Sequence, residues 1–308
     1  MKINAIEFKS FNYNKGNERN NTYSYTKPIG FDSVSFSGVK KEEKELTPKE
    51  TGIKIGEAMI QLAKQNRLNK KNISELMNKH APKEIDVLDI NEHNNLPQSM
   101  GKIVAYMQPY YDENFEFLSA ELYLGDFENI KNPEKQSDFI ANSAHEYTHF
   151  IQRDRNKDMN GVLKYFNDMD KFQIISGVGF KVLEELLYYQ ATQITSNEEK
   201  NEKAKEEIKN GNFDFANYAV NINAPMQILQ IGYSIANQKN YDIAKTQKAL
   251  LEWIYNTARD EEEAYEVTLA TYDKCEKVDE DTKTTRFITK EAYKYIANEL
   301  EPIVKQLQ

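Results

Sequence analysis

The sequence predicts an α+β protein that is predominantly helical, on three observations. Apolar side chains recur at helical spacing over residues 51–79, a short middle section switches to the alternation of strands, and after about residue 136 the helical period returns almost to the end. Composition agrees. Only 12 glycines and 8 prolines occur in 308 residues, so long helical runs meet few breakers.

Taken in order, residues 1–50 read as a disordered tail. They are rich in Asn, Ser, Lys and Tyr, lack a sustained period and close on the charge run at 40–45. The remainder, 51–308, reads as one domain. Ile55, Met59 and Leu62, then Ile73, Leu76 and Met77, mark two helices separated near 66–71, the second opened by Asn72 with Glu75 three positions on. They suit a helical hairpin packed on the body.

Residues 85–90, 102–107 and 115–124 read as strands, with 111–114 as the turn between the last two. The expectation is a small antiparallel sheet across 85–124. A helix over 137–157 follows, with Ser137 as its N-cap, and a helical part fills 162–308 with loops near Asn160, Gly177 and Gly211. Mixed Glu, Lys and Asn over 197–210 suit a solvated helix or loop. Phe139, Phe150, Phe180 and Trp253 fall at helical apolar spacing and read as core.

Charge and cysteine content exclude several functions. A net charge of -9 is wrong for a general nucleic-acid binder. Cys275 is the single cysteine, which excludes an intramolecular disulfide and a cysteine-based zinc ribbon. No apolar core of a signal peptide follows Met1, and no stretch approaches the roughly 20 apolar residues of a membrane span. The expected location is cytoplasmic, or exported without a classical signal peptide.

Chemistry concentrates at His145-Glu146-Tyr147-Thr148-His149. On a helix, positions four apart share a face, so both imidazoles reach one ion. Glu146 then points about 100° around the axis, beside the open coordination position. That is the place for a base acting on water. Ala144 leaves the approach beside His145 uncrowded. The preceding strand, 120–124, suggests a sheet edge able to hold an extended peptide by main-chain hydrogen bonds.

This pattern resembles the HExxH zinc metallopeptidases, the zincins, and implies a zincin-like catalytic core: a small sheet, the HExxH helix and a helical C-terminal part. Gln152 and Arg155 stand where metzincins carry a glycine and a third histidine, so the resemblance is to the gluzincin group. Its third ligand is a glutamate on a later helix. Glu261-Glu262-Glu263-Ala264 looks like that glutamate helix. If 248–274 is one helix, Glu261 shares a face with Leu250, Ile254, Ala264, Tyr265 and Thr268, while Glu262 is the rival ligand. Glu263 and Glu266 fall on the opposite side, as supporting or solvated groups. The separation of His149 and Glu261 by over 100 residues exceeds that of compact members.

The resemblance implies a Zn2+ cofactor held by His145, His149 and Glu261, with Glu146 as general base and a peptide or protein substrate. Tyr265, Tyr272 and His93 are candidate donors to the oxyanion, with no choice among them. The alternative is a non-catalytic interaction protein on the same scaffold, binding a partner through its helical C-terminal part. An intact Glu146 favours the enzyme, because a purely structural zinc has no use for a base.

Overall fold

The computed structural model describes residues 46–90, 105–112, 116–125, 127, 130–155, 168–195, 198–210 and 223–307. The tail expected over 1–50 lies outside them except for its last residues. Helix α1 (Pro48–Lys64) starts there, because Thr47 and Glu50 cap it reciprocally. The Thr47 hydroxyl accepts from Glu50 N at 3.1 Å, and the Glu50 carboxylate accepts from Thr47 N at 2.7 Å. Pro48 adds a fixed φ at the first helical position. Asn69, not Asn72, caps α2 (Lys70–His80), and the Asn72 N–H is the donor that Asn69 Oδ1 receives at 3.0 Å.

Three strands follow: β1 (Glu84–Asp89), β2 (Ala105–Tyr111) and β3 (Phe117–Leu124). Asp112 closes the β2–β3 hairpin, its N–H donating to Glu116 O at 2.9 Å and its carboxylate accepting from Glu116 N at 2.8 Å. The sheet is mixed, not antiparallel as the sequence suggested. Its order is β1-β3-β2, with β1 parallel to β3 and β2 antiparallel to it. The physical reason is connection length. The short separation of β2 and β3 favours an antiparallel pair, whereas 15 residues (90–104) lie between β1 and β2, so β1 is free to take the other edge of β3. The most apolar strand is thereby central, so 120–124, expected from the sequence to offer a sheet edge, is instead paired on both sides, and the outer edge on the hairpin side belongs to β2.

Helix α3 (Pro133–Arg155) begins four residues earlier than Ser137. Asn132 caps it, accepting from Glu134 N at 3.1 Å, and Pro133 occupies the first turn. Ser137 is instead buried inside the helix, its hydroxyl directed to Pro133 O and Lys277 O. The helices that follow are α4 (Met169–Thr195), α5 (Glu198–Lys209), α6 (Ala224–Lys239), α7 (Ile243–Tyr272) and α8 (Glu280–Leu307). Gly177 makes no loop. It sits within α4, where burial of Ile175, Val178, Val182, Leu183 and Leu186 outweighs the roughly 1 kcal/mol that a helical glycine costs. Phe180 is off that face and 51% exposed, whereas Phe139, Phe150 and Trp253 are buried as expected. The loops expected near Asn160 and Gly211, and His93, lie outside the described residues.

Two large apolar cores result, beside a small third cluster of Ala204, Ile288 and Ala292. One joins α1, α2, the sheet and α3 around Ile55, Met59, Ile73, Leu122, Tyr147 and Phe150. The other joins α4, α6, α7 and α8 around Ile175, Leu250, Ile254, Ile296 and Leu300. Helix α7 serves both. Its first half, through Ala258, belongs to the second core, and its second half packs on α1 and α3. No helix among the described residues is long and apolar enough to cross a membrane.

Candidate metal centre

Helices α3 and α7 run antiparallel across the meeting of the two cores, and their facing polar residues form a ladder. Tyr272 donates to Asp138 Oδ1 at 2.8 Å, His145 meets Thr268 at 3.0 Å, and Gln152 donates to Asp260 O at 3.0 Å. In the middle, His145, His149 and Glu261 bring one donor atom each within 4.8 Å of one another. The Nε2 atoms of the two histidines are 3.2 Å apart. Glu261 straddles them, with Oε2 3.5 Å from His145 Nε2 and Oε1 3.3 Å from His149 Nε2. Glu262 points away and pairs with Arg259 at 2.8 Å. The choice between the two glutamates is thus made by packing.

The hydrogen bonds around the triad determine what its inner atoms offer. Gln152 Nε2 donates both to Asp260 O and to Glu263 Oε2, the latter at 2.8 Å, so its other amide atom is the oxygen. That oxygen lies 2.8 Å from His149 Nδ1, which must therefore carry a proton. The Thr268 hydroxyl donates to Ala264 O at 3.1 Å, leaving its oxygen to accept from His145 Nδ1. Both imidazoles are held by their Nδ1–H, and both Nε2 lone pairs face the Glu261 carboxylate.

Three acceptors pointed at one place demand a cation or a proton. In the bare chain a proton answers. Burial alone would lower the His149 pKa, but Glu261, through its charge and hydrogen bond, pushes it up to about 9 with help from Glu146. Glu261 is driven the opposite way: burial opposes its charge, yet the two histidines hold it well below the usual carboxylate range. A metal ion fits the same place. A tetrahedral ion with ligands at about 2.0–2.1 Å separates them by about 3.3 Å. The two Nε2 atoms and the nearer carboxylate oxygen of each stand 3.2–3.5 Å apart, and taking one atom from each residue the set lies within 4.8 Å.

Glu146 stands beside this triangle without joining it. Half-buried, it is raised by desolvation, and the neighbouring Glu261 adds to the rise against the pull of the two histidines. Its carboxylate accepts the backbone N–H of Met107. That bond shows the orientation of β2. The Met107 N–H turns away from β3, and by alternation the register position of Pro109 faces outward too, the side on which a proline lacks only an unneeded donor. Among the described residues no strand pairs with that outer edge.

Aromatic groups close the other side. The Tyr265 ring meets the His145 ring edge-on at 4.7 Å and stacks on Tyr293 of α8 at 5.7 Å. Tyr272, a candidate donor from sequence, is engaged by Asp138 and lies lower on the ladder. Ala144 faces Gly56 of α1, not the site. The sequence reading missed Gln152 as a support, Thr268 as the acceptor for His145, and Met107 and Tyr293 as neighbours of Glu146 and Glu261. Two of them left a usable signal: Gln152 lies three residues after His149 on the same face, and Thr268 shares the face of Glu261.

Comparison of the chain with protein-family models, with curated proteins and with solved structures finds no match. The reading of the site rests on its own chemistry.

Proposed function

We propose that the chain is a zinc-dependent metallopeptidase of the HExxH type. The observation that carries this reading is the set of three bare acceptors, His145 Nε2, His149 Nε2 and the Glu261 carboxylate, with a fourth group, Glu146, held beside them by a strand. Two imidazoles and one carboxylate suit zinc better than the harder cations, which prefer all-oxygen sites. When bound, zinc supplies a Lewis acid that acidifies water and polarises a carbonyl.

The chain's own groups divide the remaining work. Glu146, with a carboxyl raised by burial, takes the proton of the attacking water and returns it to the departing amine. Gln152 and Thr268 keep each histidine in the tautomer that turns Nε2 inward. Tyr265, beside His145, is the phenol placed to meet a developing oxyanion. The outer edge of β2, unpaired among the described residues apart from the Met107 N–H that Glu146 holds, favours an extended polypeptide over other substrates, because its remaining main-chain groups stand at strand spacing.

The test pairs metal analysis with turnover of an unfolded protein such as casein. Wild type is expected to bind one zinc and cleave. Glu146→Gln is expected to keep the zinc and lose activity by about 100-fold or more. A chain that binds zinc but cleaves neither casein nor a peptide library would overturn the enzyme reading in favour of a binding scaffold.

A further inference from the structure

One cation near the centre is not used by the reading above. Arg286 of α8 is half-buried. It reaches Asn142 Oδ1 at 3.4 Å and lies close enough to the phenols of Tyr265 and Tyr272 for both to favour its charge. Its guanidinium carbon lies 5.9 Å from the centre of the Tyr265 ring, the same ring that touches His145. Asn142 is one turn before His145 and Glu146 on α3. Arg286 is therefore one aromatic ring away from His145.

Its partners are neutral. Two phenols and one amide surround it, and no carboxylate among the described residues is in ion-pair contact with it. Asp138, the acid that feels its charge, is bonded to Tyr272 instead. A partly desolvated guanidinium without a carboxylate is an incomplete arrangement, since such a group is best satisfied by a paired, two-point acceptor. The α8 face that carries it also carries Tyr293, seven residues on and next to Tyr265.

We propose that Arg286 is a binding residue for a carboxylate of the substrate, held through a two-point guanidinium contact one ring from the scissile bond. The chemistry is that of a monoanionic planar carboxylate. A single guanidinium presents one positive charge, which matches a carboxylate and does not favour a phosphate dianion. Two sources supply such a group, a free C-terminus close to the cleaved bond or an acidic side chain at the same distance. This inference builds on the peptidase reading, but it concerns binding and is tested apart from turnover.

The probes are short alanine-rich peptides bound to zinc-loaded Glu146→Gln protein and measured calorimetrically. One pair differs in a free or amidated C-terminus, and a second, amidated pair differs in one internal Glu or Gln. The preferred source is expected to bind about 10- to 100-fold tighter in its carboxylate form. Arg286→Gln should erase that preference. Asn142→Asp, which places a carboxylate on Arg286 without removing it, should erase it as well and guards against misfolding of the first variant. Equal affinity within both pairs, or a preference that survives in both variants, would overturn the proposal. Turnover by the wild type, measured separately, decides the peptidase reading whatever the calorimetry gives.

Discussion

Gln152 holds His149 with one end of its amide and Glu263 with the other. The oxygen accepts from His149 Nδ1 at 2.8 Å, and the nitrogen donates to Glu263 at 2.8 Å. A neutral amide thus takes a place in which a carboxylate is common behind a metal-bound histidine. Because the amide cannot turn over without facing Glu263 with its oxygen, the orientation of His149 is decided from helix α7, more than 100 residues away.

Removing that amide is expected to loosen the metal without unfolding the chain. Gln152→Ala should weaken zinc binding by about 10- to 100-fold, read by competition with a chromophoric chelator. Gln152→Glu restores an acceptor for His149 but sets a second carboxylate against Glu263. It should recover only part of the affinity. Unchanged affinity in Gln152→Ala would show that His149 is oriented by other means.

Glu261 and Glu262 give a contrast within one turn of helix. Glu261→Gln should abolish stoichiometric zinc, since it removes the only anionic member of the triad. Glu262→Gln breaks its contact with Arg259, a partly exposed ion pair, and should leave zinc content unchanged and stability within about 1 kcal/mol. Elemental analysis and a thermal melt read both results. Loss of zinc in the Glu262 variant alone would move the ligand by one residue.

The pH dependence has opposite signs with and without metal. In the bare chain the His149 pKa rises from 6.5 to about 9, so the stability it contributes is complete below 6.5 and is lost as pH climbs through 9. Glu261 works at the other end, its depressed pKa contributing stability above its ordinary value of 4.5 that is lost on acidification. Metal must displace the His149 proton, so its apparent affinity should rise about tenfold per pH unit up to about 9. Melting curves between pH 6 and 9.5 should show the metal-free protein weakening while the stabilisation by zinc grows. Parallel trends would contradict this account.

Behind the histidines, α1 lies close to both site helices because two glycines face them. A Cβ at Gly52 would stand 2.1 Å from Thr148 Oγ1 and 3.1 Å from Val267. The Thr148 hydroxyl is committed to Ala144 O at 2.8 Å, so it cannot rotate away without losing that bond. Gly52→Ala should destabilise by about 1–3 kcal/mol through overpacking, read by denaturant titration. A substitution at Gly177, where nothing lies within 4 Å, should be neutral or stabilising and serves as the control.

Much of this was legible in the residues. The histidine pair is a matter of spacing on one helix, and an acidic residue on an otherwise apolar stripe of α7 pointed to Glu261. The strands were legible too, but not their order, since alternation within a strand says which face is buried and nothing of its neighbour. Ser137 was misread because its hydroxyl suits both a cap and a buried bond, and only the location of Asn132 and Pro133 one turn earlier separates them. Phe180 shows the converse limit. It belongs to a largely apolar run and so reads as core, yet five residues after Ile175 it stands about 140° round the axis from the buried face of α4. Of the supports of the site, Gln152 stands one turn from His149 on its own helix, but the bonds that fix its amide to Asp260 and Glu263, and the bond of Thr268 to His145, exist only where two distant helices meet.

Pro109 gives the outer edge of β2 a defined end. Glu146 holds the Met107 N–H and Pro109 has no backbone hydrogen to give, so a polypeptide laid along that edge would meet few donors. Any extended partner is therefore gripped over a short length. The same interruption keeps two copies of the chain from joining edge to edge into a growing sheet. A single ring closure in one side chain thus reconciles an edge open to visitors with a surface that resists fibrillation.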